Sequence, residues 1–485
     1  MTPSGAGQAA VGQPAASRPA AGPGAAARAA LGSVLPTSWT EAGGRGRVGG
    51  VPLADLADRF GTPLVVVDER HLEERLAAFR AAFGPEADLT YAGKAFLCGA
   101  LVRLLDREGW FVDVVSGGEL ELVRRAGFPM ARVLLHGNAK SVAELTHAVE
   151  LGVGRIVVDH PDEIGEIRRA ARAGGAERPP AVMLRLNVDL APDTHEKVRT
   201  VGPGAHFGMG TASAAAVARE VAGAEDIRLT GVHIHAGSQI RDPALFARVA
   251  TAAVDFVAPL RDCFPDTVEL DLGGGLAAPY RAGERVPSPR RYAEALRAGL
   301  DAARVRDRIG RHRLIVEPGR SVIANAGLTL YRVHARKRLD GADEILAVDG
   351  GLSDNPRPSL YGASYEVLNA SRLRDGAERV FRVVGRHCES GDVVAPAAVL
   401  PGGSGVGDVL AVPATGAYVF AMSSRYNGVG RPAVVFVRDG AAREVVRRET
   451  DDDLLACDLA LGVPEPAADG ARPLTAAEAR PSRER

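Results

Sequence analysis

The residue in this sequence best suited to covalent chemistry is Lys94, in the stretch Leu89-Thr90-Tyr91-Ala92-Gly93-Lys94-Ala95-Phe96. The chain has 59 basic residues, of which only four are lysines and 55 are arginines. A neutral lysine amine can attack an aldehyde to form a Schiff base, whereas a guanidinium stays protonated and cannot. Lys94 also follows a β-like run and precedes a helix-like one, which places it at the C-terminal end of a strand. Composition alone fits a surface lysine as well as a Schiff-base lysine.

The chain around Lys94 alternates between short apolar runs and helix-like segments, a pattern typical of β/α units. Eight such units over roughly 250 residues predict an α/β fold of the (β/α)8 (TIM) barrel type, with catalytic groups at the C-terminal ends of the strands. A doubly wound sheet is the alternative, but no Gly-x-Gly-x-x-Gly follows the first strand. The predicted strands are Leu89–Lys94, Phe111–Ser116, Val133–Gly137, Arg155–Asp159, Val182–Asn187, Leu229–His235, Val268–Gly273 and Leu314–Glu317.

After about residue 325, turns rather than long helices separate the strand-like runs, which predicts a second, β-rich domain. Both ends of the chain contain too few large apolar residues to offset the entropy of ordering them. The predicted organisation is a disordered Ala/Pro/Gly-rich tail at 1–34, a segment at 35–67 that packs with the β-rich domain, the barrel at 68–325, the β-rich C-terminal domain at 326–461, and a loose tail at 462–485.

The composition excludes several classes of protein. A net charge of −1 without a basic block gives no footprint for nucleic acid. The four cysteines lie far apart, which argues against a disulfide framework or a structural zinc site and fits a reducing cytosol. No run of about 18 apolar residues is present, so we expect no membrane span. The N-terminus lacks the apolar core of a secretory signal, so a cytoplasmic location is expected.

Several residues near the predicted strand ends could bind a ligand. The loop Gly273–Gly275 could cradle a phosphate with its backbone N–H groups, or it could simply form a turn. His235 could stack on a flat ring; together with His233 it could bind a metal or lie in the core, and without carboxylates at ligand spacing no metal is predicted. Glu317 and Arg320 could form a structural ion pair, or they could pair with a protonated ring nitrogen and a carboxylate.

The predicted β-rich domain adds two further stretches. The Gly/Pro-rich loop from Val348 to Tyr361 offers Arg357 and Tyr361 for anion binding. Cys388 is the only cysteine in a polar setting, within His387-Cys388-Glu389-Ser390-Gly391-Asp392. A buried small residue is the alternative interpretation, since that is the usual environment of a free cysteine.

Taken together, these motifs resemble the diaminopimelate decarboxylases, which are pyridoxal-phosphate enzymes with an alanine-racemase-like barrel and a β-rich C-terminal domain. The resemblance covers about residues 50–460. The related ornithine and arginine decarboxylases share the lysine and Glu-Pro-Gly-Arg, but the full set is similar to the diaminopimelate branch. The motifs are Tyr91–Phe96, His136–Ser141, His235–Ile240, Asp271–Leu276, Glu317–Arg320, Asp349–Tyr361, Cys388–Asp392, Gly416–Tyr418 and Ser424–Asn427.

The resemblance implies roles for individual residues. Lys94 would hold pyridoxal 5′-phosphate as a Schiff base, His235 would stack on its ring, Glu317 would pair with the ring nitrogen, and Cys388 would protonate the intermediate after CO₂ leaves. The implied cofactor-binding residues are Lys94, Asp113, His235, Ser238, Gly273, Gly274, Gly275, Glu317, Gly319, Arg320 and Tyr418. The implied substrate-binding residues are Arg320, Arg357, Tyr361, Glu389 and Tyr418, with Glu389 at the distal ammonium.

The resemblance also implies an activity and an assembly. The expected reaction is decarboxylation of meso-2,6-diaminopimelate to L-lysine and CO₂, the last step of lysine biosynthesis. A decarboxylase for another amino acid, or a cofactor-binding protein without turnover, is the alternative. Cys388 and Glu389 would reach the site of the neighbouring subunit, so the expected active unit is a homodimer with shared active sites.

Overall fold

Eight parallel strands close into a barrel, which confirms the predicted fold. The computed structural model describes residues 30–174, 178–190, 202, 205–338, 344–459 and 461. The first strand pairs with the eighth, where Asp88 lies opposite Ile315, and the fourth pairs with the fifth, so the sheet has no open edge. The barrel strands are Asp88–Ala92, Phe111–Val114, Val133–Leu135, Arg155–Val158, Ala181–Asn187, Arg228–His233, Thr267–Asp271 and Arg311–Val316, with Met209–Gly210 beside the fifth.

The barrel strands are apolar on both faces because helices cover the outside and side chains fill the inside. Several helices begin at a side-chain cap, such as Ser141, whose hydroxyl accepts from the Glu144 N–H. The α-helices of this part are Glu69–Phe83, Gly99–Arg107, Gly117–Arg125, Val142–Glu150, Asp162–Gly174, Thr211–Val221, Pro243–Val257, Pro289–Ala302, Val305–Ile309 and Arg320–Ile323. The short 3₁₀ helices are Gly93–Ala95, Met130–Arg132 and Ala258–Cys263.

A separate β-rich domain follows the barrel. Its long central strand, Gly327–Arg338, pairs with Leu64–Asp68, which precedes the barrel in the chain. The remaining strands of this domain are Glu344–Val348, Leu368–Asn369, Glu378–Val384, Val393–Pro401, Val409–Pro413, Ala433–Arg438 and Ala441–Val446. Its helical segments are Arg357–Tyr361, Phe420–Met422, Tyr426–Gly428 and Asp451–Leu455.

The N-terminal part of the described chain packs against both domains. Three short strands, Thr40–Ala42, Arg45–Val48 and Val51–Pro52, form a small sheet ahead of the helix Leu53–Phe60. Val34 is fully buried, so packing begins before the predicted boundary at residue 35. Residues 1–29 of the predicted N-terminal tail and the predicted C-terminal tail at 462–485 lie outside the described residues.

One helical segment among the described residues, Pro243–Cys263, is long and apolar enough to cross a membrane by length and composition. Half of it is buried inside the protein. Its helix packs along Pro289–Ala302 on the outside of the barrel. Its apolar character therefore matches that of a core helix.

Candidate active site

Most of the predicted site residues line one cavity at the C-terminal ends of the barrel strands. The cavity has a volume of about 930 Å³ and is closed on one side by residues of the β-rich domain. The predicted residues that line it are Lys94, His235, Ser238, Gly275, Glu317, Gly319, Arg320, Arg357, Tyr361 and Tyr418. The structure thus brings together groups that lie more than 300 residues apart in sequence, from Lys94 to Tyr418.

Lys94 lies in the 3₁₀ turn Gly93–Ala95, directly after the first strand. The turn is tied to the second strand, because the Gly93 N–H donates to Asp113 Oδ1 at 3.2 Å. Only glycine fits before Lys94, since a Cβ there would lie 2.6 Å from the Asp113 carbonyl oxygen. Burial lowers the pKa of Lys94, but the charges of Asp113, Tyr418 and Glu317 outweigh it, so the pKa lies above its ordinary value. The amine is therefore held as an ammonium beside Asp113.

Glu317, at the end of the eighth strand, lies between two imidazoles. Its Oε1 is 2.7 Å from His136 Nε2, and its Oε2 is 3.3 Å from His233 Nε2. Burial alone would raise the pKa of Glu317, but His136 and His233 outweigh it and hold the pKa well below its ordinary value. Glu317 is therefore an ionised carboxylate at the cavity wall, suited to a positively charged ring nitrogen.

His235 is a neutral ring on another wall of the cavity. The Gly274 N–H donates to its Nδ1 at 3.2 Å, so the ring proton is on Nε2. Burial, followed by the charge of Lys94, lowers the pKa of His235 well below its ordinary value. A neutral imidazole held by the backbone can present a flat face to a heteroaromatic ring.

The three consecutive glycines do not all face the cavity. The Gly273 N–H donates to Asp271 Oδ1 at 2.9 Å, and the Gly274 N–H donates to His235. Gly275 alone of the three lines the cavity, and a Cβ there would lie 2.3 Å from the Gly237 carbonyl oxygen. The N–H groups of Gly273 and Gly274 therefore hold the site together, and Gly275 is the glycine placed to meet an anion.

Two guanidinium groups face the cavity without a carboxylate in ion-pair distance among the described residues. Arg320 donates to Ser238 Oγ at 2.9 and 3.2 Å, and its Cζ lies 4.5 Å from the centre of the Tyr418 ring. Arg357 donates to the Tyr365 hydroxyl at 2.8 Å. Both side chains are buried, and a buried charge needs a partner, so this wall is built for anionic ligands.

Tyr418 contacts this wall with a strained backbone. Its φ of 59° is uncommon for an aromatic residue. The Tyr418 N–H donates to the Ala95 carbonyl at 2.7 Å, next to Lys94. The β-rich domain is thereby fastened to the turn that carries Lys94.

Comparison with known proteins agrees with this geometry. A family model described as pyridoxal-dependent decarboxylase, pyridoxal binding domain, matches residues 69–324. The diaminopimelate decarboxylase of Actinosynnema pretiosum subsp. auranticum is 46% identical over 411 residues, covering 84% of this chain and 91% of that protein. The enzyme of that name from Mycobacterium tuberculosis is 41% identical, covering 88% and 98%. The crystal structure of the diaminopimelate decarboxylase of M. jannaschii in co-complex with L-lysine is 31% identical with a TM-score of 0.81, covering 88% and 98%.

The chain belongs to the diaminopimelate decarboxylases. It is accordingly an enzyme, a carboxy-lyase that depends on pyridoxal phosphate. The cavity fits that cofactor on its own chemistry. Lys94 offers an amine for an aldehyde, Glu317 a carboxylate for a ring nitrogen, and Arg320 a guanidinium without a carboxylate for a phosphate.

Five predicted site residues of this enzyme are not among the residues that line the cavity. Asp113, Gly273 and Gly274 lie behind it and support the site, whereas Cys388 and Glu389 lie outside the barrel. Cys388 and Glu389 are exposed on a loop of the β-rich domain, where the Tyr426 hydroxyl donates to Glu389. The loop itself is anchored, since His387 Nε2 lies 2.9 Å from Ser353 Oγ and the His387 N–H donates to Asp392 at 2.8 Å. The structure therefore fixes this loop while leaving its two functional candidates facing solvent.

Other cavity residues of this family member received no role from the sequence. The Tyr280 hydroxyl accepts from Arg320, and the Arg185 guanidinium lies 4.7 Å from the centre of the Phe207 ring. The sequence places His136 in the motif His136–Ser141 but gives it no role of its own. Arg185 had a usable signal, because a charged residue inside a predicted buried strand needs a partner. The contact of Tyr280 with Arg320 gave no such signal in the sequence, because it joins segments that are distant along the chain.

Proposed function

We propose that this enzyme decarboxylates meso-2,6-diaminopimelate to L-lysine and CO₂, the last step of lysine biosynthesis. The observation that carries the proposal is a single cavity holding Lys94, the ionised Glu317 and two guanidiniums without carboxylates, Arg320 and Arg357. A related protein of 31% identity was crystallised with L-lysine, the expected product.

The residues that hold the cofactor follow from their chemistry. Lys94 would hold pyridoxal phosphate covalently, and Asp113 keeps the amine in place through its charge and the Gly93 N–H. When bound, the cofactor supplies an electron sink for the electron pair left as CO₂ departs. Glu317 would keep the ring nitrogen protonated, and His235 would pack on the ring. Ser238, Gly275, Gly319, Arg320 and Tyr418 would surround the phosphate, with Gly273 and Gly274 holding the loop.

The remaining groups fit an amino acid with charges at both ends. Arg357, Tyr361 and Arg320 would bind a substrate carboxylate, with the ring of Tyr418 packed beside them. Glu389 would bind the distal ammonium, and the Cys388 thiol would deliver a proton to the carbon that loses CO₂. A substrate without a distal carboxylate and ammonium would leave charged groups of the site unpaired, which disfavours its binding.

The exposed position of Cys388 and Glu389 supports a homodimer with shared active sites. Their loop is anchored from behind, and Leu360, Tyr361 and Tyr426 are large side chains that also remain 47%, 38% and 39% exposed. In our proposal a second copy of the chain covers this surface. Each subunit then inserts Cys388 and Glu389 into the cavity of its partner. The four free cysteines fit a reducing compartment, so we place the enzyme in the cytoplasm.

The test is CO₂ release by the purified, cofactor-loaded protein with meso-diaminopimelate, L-ornithine, L-arginine and L-lysine measured side by side. We expect turnover of diaminopimelate alone. Turnover of a different amino acid would keep the cofactor chemistry and refute the substrate. Absence of any turnover, with a chromophore that depends on Lys94, would favour a cofactor-binding protein instead.

A further inference from the structure

Four ionisable side chains form a buried cluster in the cavity wall, at the ends of the third, sixth, seventh and eighth barrel strands. Every one is almost fully buried, and one potential ligand atom from each lies within 4.8 Å of the others. The proposed function uses only one of them. The members are His136, His233, Asp271 and Glu317.

Each histidine places its Nε2 beside Glu317, and of the two contacts only that of His233 has the geometry of a hydrogen bond in this structure. His136 Nε2 is 2.7 Å from one carboxylate oxygen and His233 Nε2 is 3.3 Å from the other. Burial lowers the pKa of His233 to about 4, so its ring is neutral near pH 7. A neutral His233 donates from Nε2 only when Nδ1 carries no proton, and His233 Nδ1 has no hydrogen-bond partner among the described residues.

Asp271 is the third candidate donor. Its Oδ1 accepts from the Gly273 N–H at 2.9 Å, while its Oδ2 is buried without a hydrogen-bond partner among the described residues. Burial, followed by the charge of Glu317, raises the pKa of Asp271 well above its ordinary value. Asp271 is therefore a neutral acid. One of its oxygens lies within 4.8 Å of a Glu317 oxygen, which makes Glu317 the acceptor we assign to its O–H.

Other charged groups surround the cluster. Lys94 and Arg185 place positive charge near the cluster. These two charges oppose a divalent cation, although the ligand types would suit one. The titratable groups that influence the cluster are Lys94 on the first strand, Asp113 on the second, Arg185 on the fifth, His235 after the sixth and Tyr292 on the helix behind.

We propose that His136, His233 and Asp271 are positioning residues that together donate three hydrogen bonds to Glu317. Three donors keep this carboxylate ionised and prevent it from turning away from the cavity. The proposal rests on the proposed function, in which Glu317 pairs with the ring nitrogen of the cofactor. It adds the reason why a fully buried carboxylate keeps its charge without a permanent cationic partner.

The test compares His136→Leu and His233→Leu, singly and together, with His136→Gln and His233→Gln. A glutamine amide can donate from nearly the position of Nε2, whereas leucine cannot. The readout is the solid-state ¹⁵N chemical shift of pyridoxal phosphate labelled at the ring nitrogen. We expect a protonated nitrogen in the wild-type and glutamine proteins, and an unprotonated one in the double leucine variant. Loss of one donor should raise the dissociation constant of the cofactor about 10- to 100-fold.

Glu317→Ala separates this proposal from the one on which it rests. If Glu317→Ala leaves the nitrogen protonated, the role of Glu317 in the proposed function is wrong. If Glu317→Ala changes the ¹⁵N shift but the double leucine variant does not, the histidines are not positioning residues and our inference fails.

A second measurement tests Asp271 as a donor and does not depend on the folding of the leucine variants. Infrared spectroscopy of the wild-type holoenzyme at pH 7 should show the carbonyl stretch of protonated carboxylic acids, and Asp271→Asn should remove one component of that band. An unchanged band in Asp271→Asn would overturn the assignment of the third donor. Stoichiometric binding of Zn²⁺ by the wild-type apoprotein, abolished by His233→Leu, would overturn the whole hydrogen-bond arrangement in favour of a metal site.

Discussion

The barrel wall and the loop His387–Asp392 present functional groups in opposite ways. On the barrel wall Glu317 is buried and contacted by side chains from other strands, and Arg320 is buried against Ser238. On the loop the anchoring residues His387 and Asp392 are buried, while Cys388 and Glu389 between them are exposed. The loop is thus anchored by hydrogen bonds, but Cys388 and Glu389 stay exposed to solvent.

This difference separates two tasks. A barrel wall complete within one chain can bind and orient a cofactor before any partner arrives. In the proposed homodimer, the anchored loop with its exposed acid and thiol groups would act where the second subunit meets it. In the proposed homodimer, cofactor binding would be a property of the subunit and turnover a property of the dimer.

The largest expected effect comes from Lys94→Ala. Loss of the amine should lower kcat/KM by roughly 10⁴-fold or more, as for removal of other covalent catalytic groups. Lys94→Arg is the matched control, since it restores the positive charge beside Asp113 without a nucleophilic amine. Both variants should lose the visible absorbance of covalently bound cofactor. Substantial activity in either one would rule out Lys94 as the attachment point.

Mixing two inactive variants tests whether Cys388 and Lys94 of one active site come from different chains. Cys388→Ala alone should lower kcat by about 10²- to 10⁴-fold, the range for a general acid. Refolding it together with Lys94→Ala at equal amounts should restore about a quarter of the wild-type activity, because half the dimers are mixed and one of their two sites is intact.

Two controls sharpen the mixing experiment. Lys94→Ala mixed with Glu317→Ala should regain nothing, because both residues belong to the same wall. The contrary outcome is that the Lys94→Ala and Cys388→Ala mixture also regains nothing while sedimentation shows mixed dimers. The two residues would then act within one chain, and the assignment of Cys388 to the active site of the other subunit would be wrong.

The sequence predicts the barrel wall and its residues better than it predicts the loop His387–Asp392. Periodicity predicts the barrel because each strand and helix repeats a local pattern, and Lys94 stands out because lysine is rare in this chain. Whether the Cys388 thiol is buried or exposed could not be predicted, because burial depends on packing between distant segments. The sequence raised His233 only as a metal ligand or core residue; its contact with Glu317 spans 84 residues, which no local pattern encodes.

A smaller effect is expected at the border between the two regions, where Arg357 faces the cavity from the β-rich domain. Arg357→Gln should raise KM for diaminopimelate about 10- to 100-fold, the loss of one hydrogen-bonded charge, with a smaller change in cofactor affinity. Arg357→Lys keeps the charge but loses the paired N–H geometry, so we expect a partial recovery. Equal loss of cofactor and substrate binding would instead assign Arg357 to the barrel wall.

The smallest expected effect on activity is at Asp354, which does not line the cavity and instead stabilises the loop from Val348 to Tyr361. Burial raises the pKa of Asp354 from 3.8 to about 7, although the Gly351 N–H donates to it at 2.6 Å. The folded protein then holds a proton that the unfolded chain has released, so this stabilisation is complete below pH 3.8 and is lost as pH rises to about 7. Asp354→Asn should abolish that loss, which amounts to about 2 to 4 kcal/mol of unfolding free energy. Denaturant unfolding at several pH values between 4.5 and 8 measures it, with exposed Asp452→Asn as the control. An unchanged pH slope in Asp354→Asn would mean that Asp354 does not take up a proton on folding.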